Sequence, residues 1–426
     1  MTAFGFEASE EWAREQDRAD PLAWSREAFE LPRDPGGEPL AYCCGNSLGL
    51  MPRSAGEMVR AELDGWARLG VEGHFEGDAP WYSYHELFRA PLARLVGAAP
   101  DEVVAMNSLT VNLHLMLVSF YRPGPGRRAI LIEEPAFPSD RYALTTHLAA
   151  RGEDPERTLL LVRPREGEAT IRTEDLEGLL ETRGREIALV FLSGVQFATG
   201  QRFDLARLAA AAHRAGCRFG VNLAHAIGNV ELALHEWNVD FAVWCSYKYL
   251  NGGPGAVGGC FVHRRHGEDR AVPRLAGWWG NDPATRFRLH ENQTFVPAPG
   301  ADGWQLSNPP ILAMAPLRAS LDLFDRAGLP ALREKSARLT GYLEYLLDQA
   351  GPGRLRILTP PLPEARGCQL SIQVRGGGRE ALDALRARGV VGDFREPDII
   401  RLAPVPLYNT YRDVWRAARA LLEVTG

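Results

Sequence analysis

Of the 48 lysines and arginines in this 426-residue chain, two are lysine, Lys248 and Lys335. Lys248 stands in WCSYKYLNGGPG (244–255), between an apolar run and a glycine-rich loop. A primary amine forms a Schiff base with a carbonyl. A guanidinium, permanently protonated and delocalised, does not. In a chain that otherwise writes its cations as arginine, an amine kept among aromatic and apolar neighbours points to carbonyl chemistry. The plain alternative is a solvated surface lysine.

Other segments offer chemistry together with an ordinary structural use. MNSLTVNLHLMLVSF (106–120) opens an apolar helix with polar residues. Ser108 or Thr110 serves there as a helix cap, or the free N–H groups and the Thr110 hydroxyl cradle a phosphate. In EPAFPSD (134–140), Phe137 can stack on a flat heterocycle and Asp140 can pair with a ring nitrogen, or the segment is a two-proline turn. VNLAHAIGN (221–229) brings Asn222 and His225 to a strand end, and a lone histidine is more often a hydrogen-bonded structural group than a catalyst. The pair in HRRH (263–266) reads as a surface feature, and no spacing suggests zinc or a serine triad. Arg401 lies in an apolar strand of IIRLAPVPLYN (399–409) and needs an anionic partner. That partner is a substrate carboxylate or an internal acid.

These residues must be held by regular elements. RRAILIEE (127–134), IALVFLSG (187–194), RFGVNLA (218–224), DFAVWCSY (240–247) and GGCFVHR (258–264) read as buried strands, with helical stretches such as DLARLAAAAHRAG (204–216) between them. That alternation predicts an α/β unit with a mostly parallel sheet flanked by helices. Residues 311–350 read as long amphipathic helices. A smaller α+β unit follows: strand QLSIQVRGG, helix REALDALRARG, strand DIIRLAPVPLYN and helix YRDVWRAARALLEV. The expected division is an N-terminal segment (1–50) packed on the small domain, a large domain (51–310) and a small C-terminal domain (311–426). A ligand in such a sheet sits beyond the carboxyl ends of the strands, where PAFPSD, SGVQFATG, HAIGN and KYLNGGPG lie.

Composition narrows the partners. A net charge of −6 without a basic block argues against nucleic acid and against an anionic membrane. No run of about 18 apolar residues is present, and the acidic opening MTAFGFEASEEWAREQDRAD is not a signal peptide. The six cysteines form no C-x-x-C pair, which suits reduced thiols in a cytoplasmic protein.

Taken together, YCCGNSLGL, NSLTVNLHLM, FPSD, SGVQFATGQ, NLAHAIGNVELALHEWNVDFAVWCSYKYLNGGPG, GWWG, SNPPIL and RLAPVPLYN resemble the kynureninase family. They run in the family's order from about residue 42 to 409. The resemblance implies pyridoxal 5′-phosphate (PLP) as cofactor, fold type I, and a homodimer with its sites at the subunit boundary. It implies Lys248 as the Schiff-base lysine, Leu109, Thr110 and Tyr247 as phosphate contacts, and Ser139 as a further cofactor-binding residue. Phe137 covers the pyridine ring. Asp140, Ser193, Asn222, His225, Trp278 and Asn308 make further cofactor contacts, some of them from the second subunit, and Arg401 clamps the substrate carboxylate. Ser47, His74, Ser307 and Asn308 match substrate contacts, in a pattern that favours 3-hydroxykynurenine over kynurenine. The implied reaction is hydrolysis of the Cβ–Cγ bond to alanine and (3-hydroxy)anthranilate, a step of tryptophan catabolism. Lys248 moves the Cα proton, and Tyr247 is the candidate proton donor.

One position departs from the family. Asn222 stands where the family has the aspartate facing the pyridine nitrogen, and an amide cannot hold that nitrogen protonated as a carboxylate does. Asp140 compensates, or the protein is a slow enzyme, a branch with altered chemistry, or one carrying an engineered substitution. The rival reading of the same fold is a class-V aminotransferase relative or a desulfurase. A desulfurase needs a reactive cysteine on a mobile loop, whereas Cys368 lies within a strand-like run. A PLP-binding protein with little catalysis is the second rival.

Overall fold

The computed structural model describes residues 5–425 except 289, 292, 350–352 and 354, so the outermost residues of the first and last expected segments lie outside it. A seven-stranded sheet organises the larger part of the chain. Its strands are β1 (Val103–Ala105), β2 (Ala129–Glu133), β3 (Leu159–Val162), β4 (Ile187–Ser193), β5 (Arg218–Asn222), β6 (Phe241–Cys245) and β7 (Gly258–Val262), in the order β1-β7-β6-β5-β4-β2-β3. Strand β7 is antiparallel to both neighbours, and the other pairings are parallel.

The sequence reads as apolar runs here because both faces of the sheet are covered. Ile130 and Ile132 of β2 enter one hydrophobic core while Leu131 enters another, and Leu189 and Phe191 of β4 oppose Val190 and Leu192 in the same way. The five strands expected from sequence all form. Two more, β1 and β3, were not anticipated; they are edge strands of three and four residues, too short to give a pattern.

The C-terminal sheet is antiparallel: β8 (Leu355–Ile357), β9 (Leu370–Val374), β10 (Asp393–Arg395) and β11 (Ile399–Leu402), ordered β8-β9-β11-β10. Strand β11 is shorter than the run 399–409 suggests. Pro404 and Pro406 have no N–H to continue the ladder. The helical stretch 311–350 divides into Ile311–Ala327 and Leu329–Asp348 at Gly328, whose φ of +74° suits glycine.

The first 50 residues, hard to place by pattern, bind the two parts together. Helix Glu10–Ala19 is capped by Ser9, which accepts from Trp12 N at 3.2 Å, and it packs against helix Tyr411–Thr425. Ala41–Tyr42 adds a parallel pairing to Val390–Val391. Gly49 then meets the Lys248 turn, its N–H donating to the Tyr247 carbonyl at 2.8 Å; a Cβ there would lie 2.3 Å from the Lys248 carbonyl oxygen.

Candidate active site

The carboxyl ends of the parallel strands converge on a cavity of about 150 Å³. Strand β2 delivers Phe137, Ser139 and Asp140, β4 delivers Ser193, β5 delivers Asn222 and His225, and β6 delivers Tyr247 and Lys248. Leu109 and Thr110 enter from the helix after β1. Ten of its fourteen lining residues are ones the sequence singles out; an eleventh, Phe197, whose ring stands edge-on to Phe137 at 5.4 Å, lies in the motif SGVQFATG. Val195, Ala224 and Cys245 complete the wall.

Lys248 is 8% exposed. Its Nζ lies 2.9 Å from Nε2 of His225 and 5.7 Å from the centre of the Phe137 ring. Burial lowers the amine's pKa, and the Arg401 and Arg395 charges push the same way against Cys245 and Asp140. Burial likewise holds His225 well below its ordinary value, with Lys248 and the same arginines adding to it. The pair is therefore a poised amine against a neutral imidazole, with no carboxylate hydrogen-bonded to it.

Two helices begin at the cavity wall, Leu109–Phe120 and Pro138–Ala150, and neither has a side-chain cap. The N–H groups of Leu109, Thr110 and Ser139 are left to a ligand or water, while Pro138 has none and Asp140 N donates to the Phe137 carbonyl at 3.0 Å. Thr110 Oγ1 and Ser139 Oγ lie 3.1 Å apart between them. Paired helix N-termini with hydroxyls suit a phosphate. Ser108 occupies the N-cap position without a side-chain bond to the helix, and Thr110 lines the cavity.

Deeper in, Asn222 Nδ2 donates to Asp140 Oδ2 at 2.5 Å, while Asn222 Oδ1 accepts from Ala224 N at 2.8 Å. Asp140 Oδ1 and His225 Nδ1 are buried without partners. Burial pushes the Asp140 carboxyl up to about 6, against the opposing pull of Asn222 and Lys248. Glu133, not foreseen from sequence, accepts the Ser193 hydroxyl and the Ser193 N–H at 3.2 Å, and burial pushes it up to about 7. A buried acid at a strand end was the signal available. PLP fits this donor set: a lysine for the aldehyde, helix termini for the phosphate, an aromatic ring for the pyridine face, and an orphan carboxylate oxygen for the ring nitrogen.

Not every expected residue lines this cavity. Arg401 is fully buried behind Phe197, donating to its carbonyl at 2.7 Å and to Asp393 Oδ1 at 2.6 Å. The internal acid is thus present, and Ser47 joins it, 3.3 Å from Arg401 Nη2. Trp278, half-buried against Trp279, and the exposed Ser307 and Asn308 are absent from the lining. So is His74, which holds the Val71 carbonyl at 3.0 Å and packs edge-on to Trp81. The HRRH histidines are not the surface feature expected: His266 is buried and bonded to Asp240 at 2.6 Å. His263, His235 and Glu102 could meet a metal among the described residues, but Glu102 already accepts from Ala99 N, Arg264 N and His235. All six cysteines are buried and free, and burial pushes Cys368 up to about 12, unlike a thiol on a mobile loop.

Residues 332–421 match the kynureninase C-terminal domain model. A kynureninase of Myxococcus xanthus is 54% identical over 420 residues, 99% of this chain and 98% of that protein. One from Xanthomonas campestris pv. campestris is 55% identical over 93% of this chain and 94% of that protein. Among solved structures, a C-DES mutant with glycine covalently linked to its PLP cofactor superposes with a TM-score of 0.76 at 20% identity, covering 93% of this chain and 98% of that one. The cysteine desulfurase CsdA of Escherichia coli gives 0.73 at 17%, covering 95% and 99%. Those two likenesses establish the fold, α/β of the PLP type I class. The identity that spans nearly the whole length establishes the rest: this chain belongs to the kynureninase family of enzymes.

Proposed function

We propose that this protein is a kynureninase: it hydrolyses the Cβ–Cγ bond of L-kynurenine or 3-hydroxy-L-kynurenine, releasing alanine and the matching anthranilate, with the 3-hydroxy substrate favoured. The observation that carries the proposal is the buried Lys248 amine, set against a neutral imidazole at the convergence of two uncapped helix N-termini. PLP, when bound there, supplies the electron sink.

The residues divide the remaining work. Thr110, Ser139 and the Leu109 N–H hold the phosphate, and Phe137 covers the ring. Lys248, lowered in pKa, would hold the cofactor's aldehyde and serve as the base that takes the substrate's Cα proton and later returns one. Burial keeps the Tyr247 phenol protonated, so it can donate beside the phosphate. Asp140, its Oδ1 unpartnered, provides the charge at the ring nitrogen that residue 222 lacks, and the Asn222 amide orients it. Arg401 and Ser47 receive the substrate carboxylate.

His74, Trp278, Ser307 and Asn308 are assigned to the neighbouring site of a homodimer. In support, an apolar hollow of about 450 Å³ lined by Trp66, Trp81 and Leu312 adjoins His74, whose ring packs on Trp81, and the exposed Phe287 lies against Trp278. In the three-part division at residues 50 and 310, the packing of residues 1–50 on the small domain is supported by a core joining Trp12 and Ala41 to Leu339, Ile372 and Leu421, whereas Leu22, Phe29 and Leu50, and with them Met314, Leu317 and Leu321 of helix Ile311–Ala327, enter the large-domain core. A cytoplasmic location is supported by the six free cysteines; no helix among the described residues is long and apolar enough to cross a membrane.

The test is alanine release by PLP-loaded protein from both substrates in parallel. Turnover with a higher kcat/KM for 3-hydroxykynurenine is the expected result. A lysine-bound chromophore with no alanine from either substrate overturns the proposal and favours a binding protein with little catalysis.

A further inference from the structure

The small sheet carries a second arginine on the face that holds Arg401. Strands β10 and β11 pair with Asp393 opposite Arg401 and Arg395 opposite Ile399. Side chains two residues apart share a face, so Asp393, Arg395 and Arg401 project together, while Phe394 and Ile400 turn to the small-domain core. Arg401 is committed. Its Nε and Nη2 hold the two Asp393 oxygens, Nη1 holds the Phe197 carbonyl, and Nη2 also reaches Ser47. Of five N–H groups, about one is left to meet a ligand.

Arg395 is differently placed. Its side chain is 37% exposed, its Nη2 stands 3.4 Å from Asp393 Oδ2, and its Nη1 donates to the Phe394 carbonyl at 2.8 Å. It keeps free N–H groups. Its charge also reaches the cavity, since it acts with Arg401 on both Lys248 and His225. Two guanidiniums against one aspartate leave a surplus positive charge in this wall, and an incoming carboxylate offsets it.

We propose that Arg395 is a substrate-binding residue: the α-carboxylate of the amino-acid substrate is shared between Arg395 and Arg401, and Asp393 is a positioning residue that acts as built-in counter-ion to both. This rests on the kynureninase reading. It adds a residue that neither the motifs nor the resemblance pointed to. Ser47, bonded to Asp393, completes the bracket from the N-terminal segment.

The experiment compares wild type, Arg395→Gln and Arg395→Lys as PLP-loaded full-length protein. KM and kcat are measured with L-kynurenine. Dissociation constants are read from the chromophore with L-alanine and with ethylamine, which differ by the carboxylate alone. The expected result for Arg395→Gln is a KM raised about tenfold or more with kcat nearly kept, weaker L-alanine binding and unchanged ethylamine binding. Arg395→Lys should recover part of the loss. Equal weakening of L-alanine and ethylamine, or no change in either, overturns the proposal. Should wild type release no alanine from kynurenine, the proposed reaction fails, and the L-alanine and ethylamine pair still decides Arg395.

Discussion

The chain's two lysines are both buried, Lys248 at 8% and Lys335 at 6% exposure, and burial lowers both amines. Their partners differ. Lys335 Nζ meets Asp20 Oδ2 at 2.7 Å, both side chains withdrawn from water, and ties helix Leu329–Asp348 to the N-terminal segment. Lys248 meets an imidazole that cannot offset its charge, with two arginines near enough to oppose it. One amine completes an ion pair. The other is kept buried without a bonded counter-ion, a state useful only when the amine must give up its proton.

The difference can be broken from either side. Lys248→Ala should cost about 10⁴-fold in turnover while leaving the thermal midpoint unchanged or raised, since it removes an uncompensated buried amine. A matching loss of stability would contradict the contrast. Lys335→Ala should do the reverse, losing about 3–5 kcal/mol in denaturant unfolding because Asp20 is left buried and unpaired, with kcat per folded molecule retained.

Titration sharpens the same point for the acids below the ring. Asp140 and Glu133 have native pKa values raised by burial, so the native state binds more protons than the unfolded one at mildly acidic pH. Their contribution to stability is full below about pH 4 and is lost as pH rises through about 6 and 7. Unfolding of the cofactor-free protein between pH 4 and 8 should show this fall, about 3 kcal/mol of it removed in Asp140→Asn. A slope unaltered in Asp140→Asn and Glu133→Gln would refute it. The smallest expected effect is on rate: Asn222→Asp should raise turnover about tenfold by adding charge at the ring nitrogen. An unchanged rate would leave Asp140 sufficient alone.

Much of the site was legible because it is local. Lys248, Phe137, Thr110 and Asp140 each follow a strand within a few residues, and an open α/β sheet presents those positions at one edge. Glu133 and Ser193 were harder to read. They stand on neighbouring strands, and nothing in either segment declares that one acid accepts the other's hydroxyl. His266 was misread because its partner, Asp240, lies 26 residues away and enters through the sheet.

The order of buried strands, the amine at 248 and the amide at 222 belong to the sequence. Residue identity and hydrophobic period are local properties, and both survive without coordinates. Partnership belongs to the tertiary structure. Whether Arg401 held an internal acid or stood free, and whether Lys335 shared the character of Lys248, depended on which distant carboxylate folding brought within 3 Å. Burial then decided what each charge was worth, because a charge removed from water is governed by its nearest neighbours and not by its position in the chain.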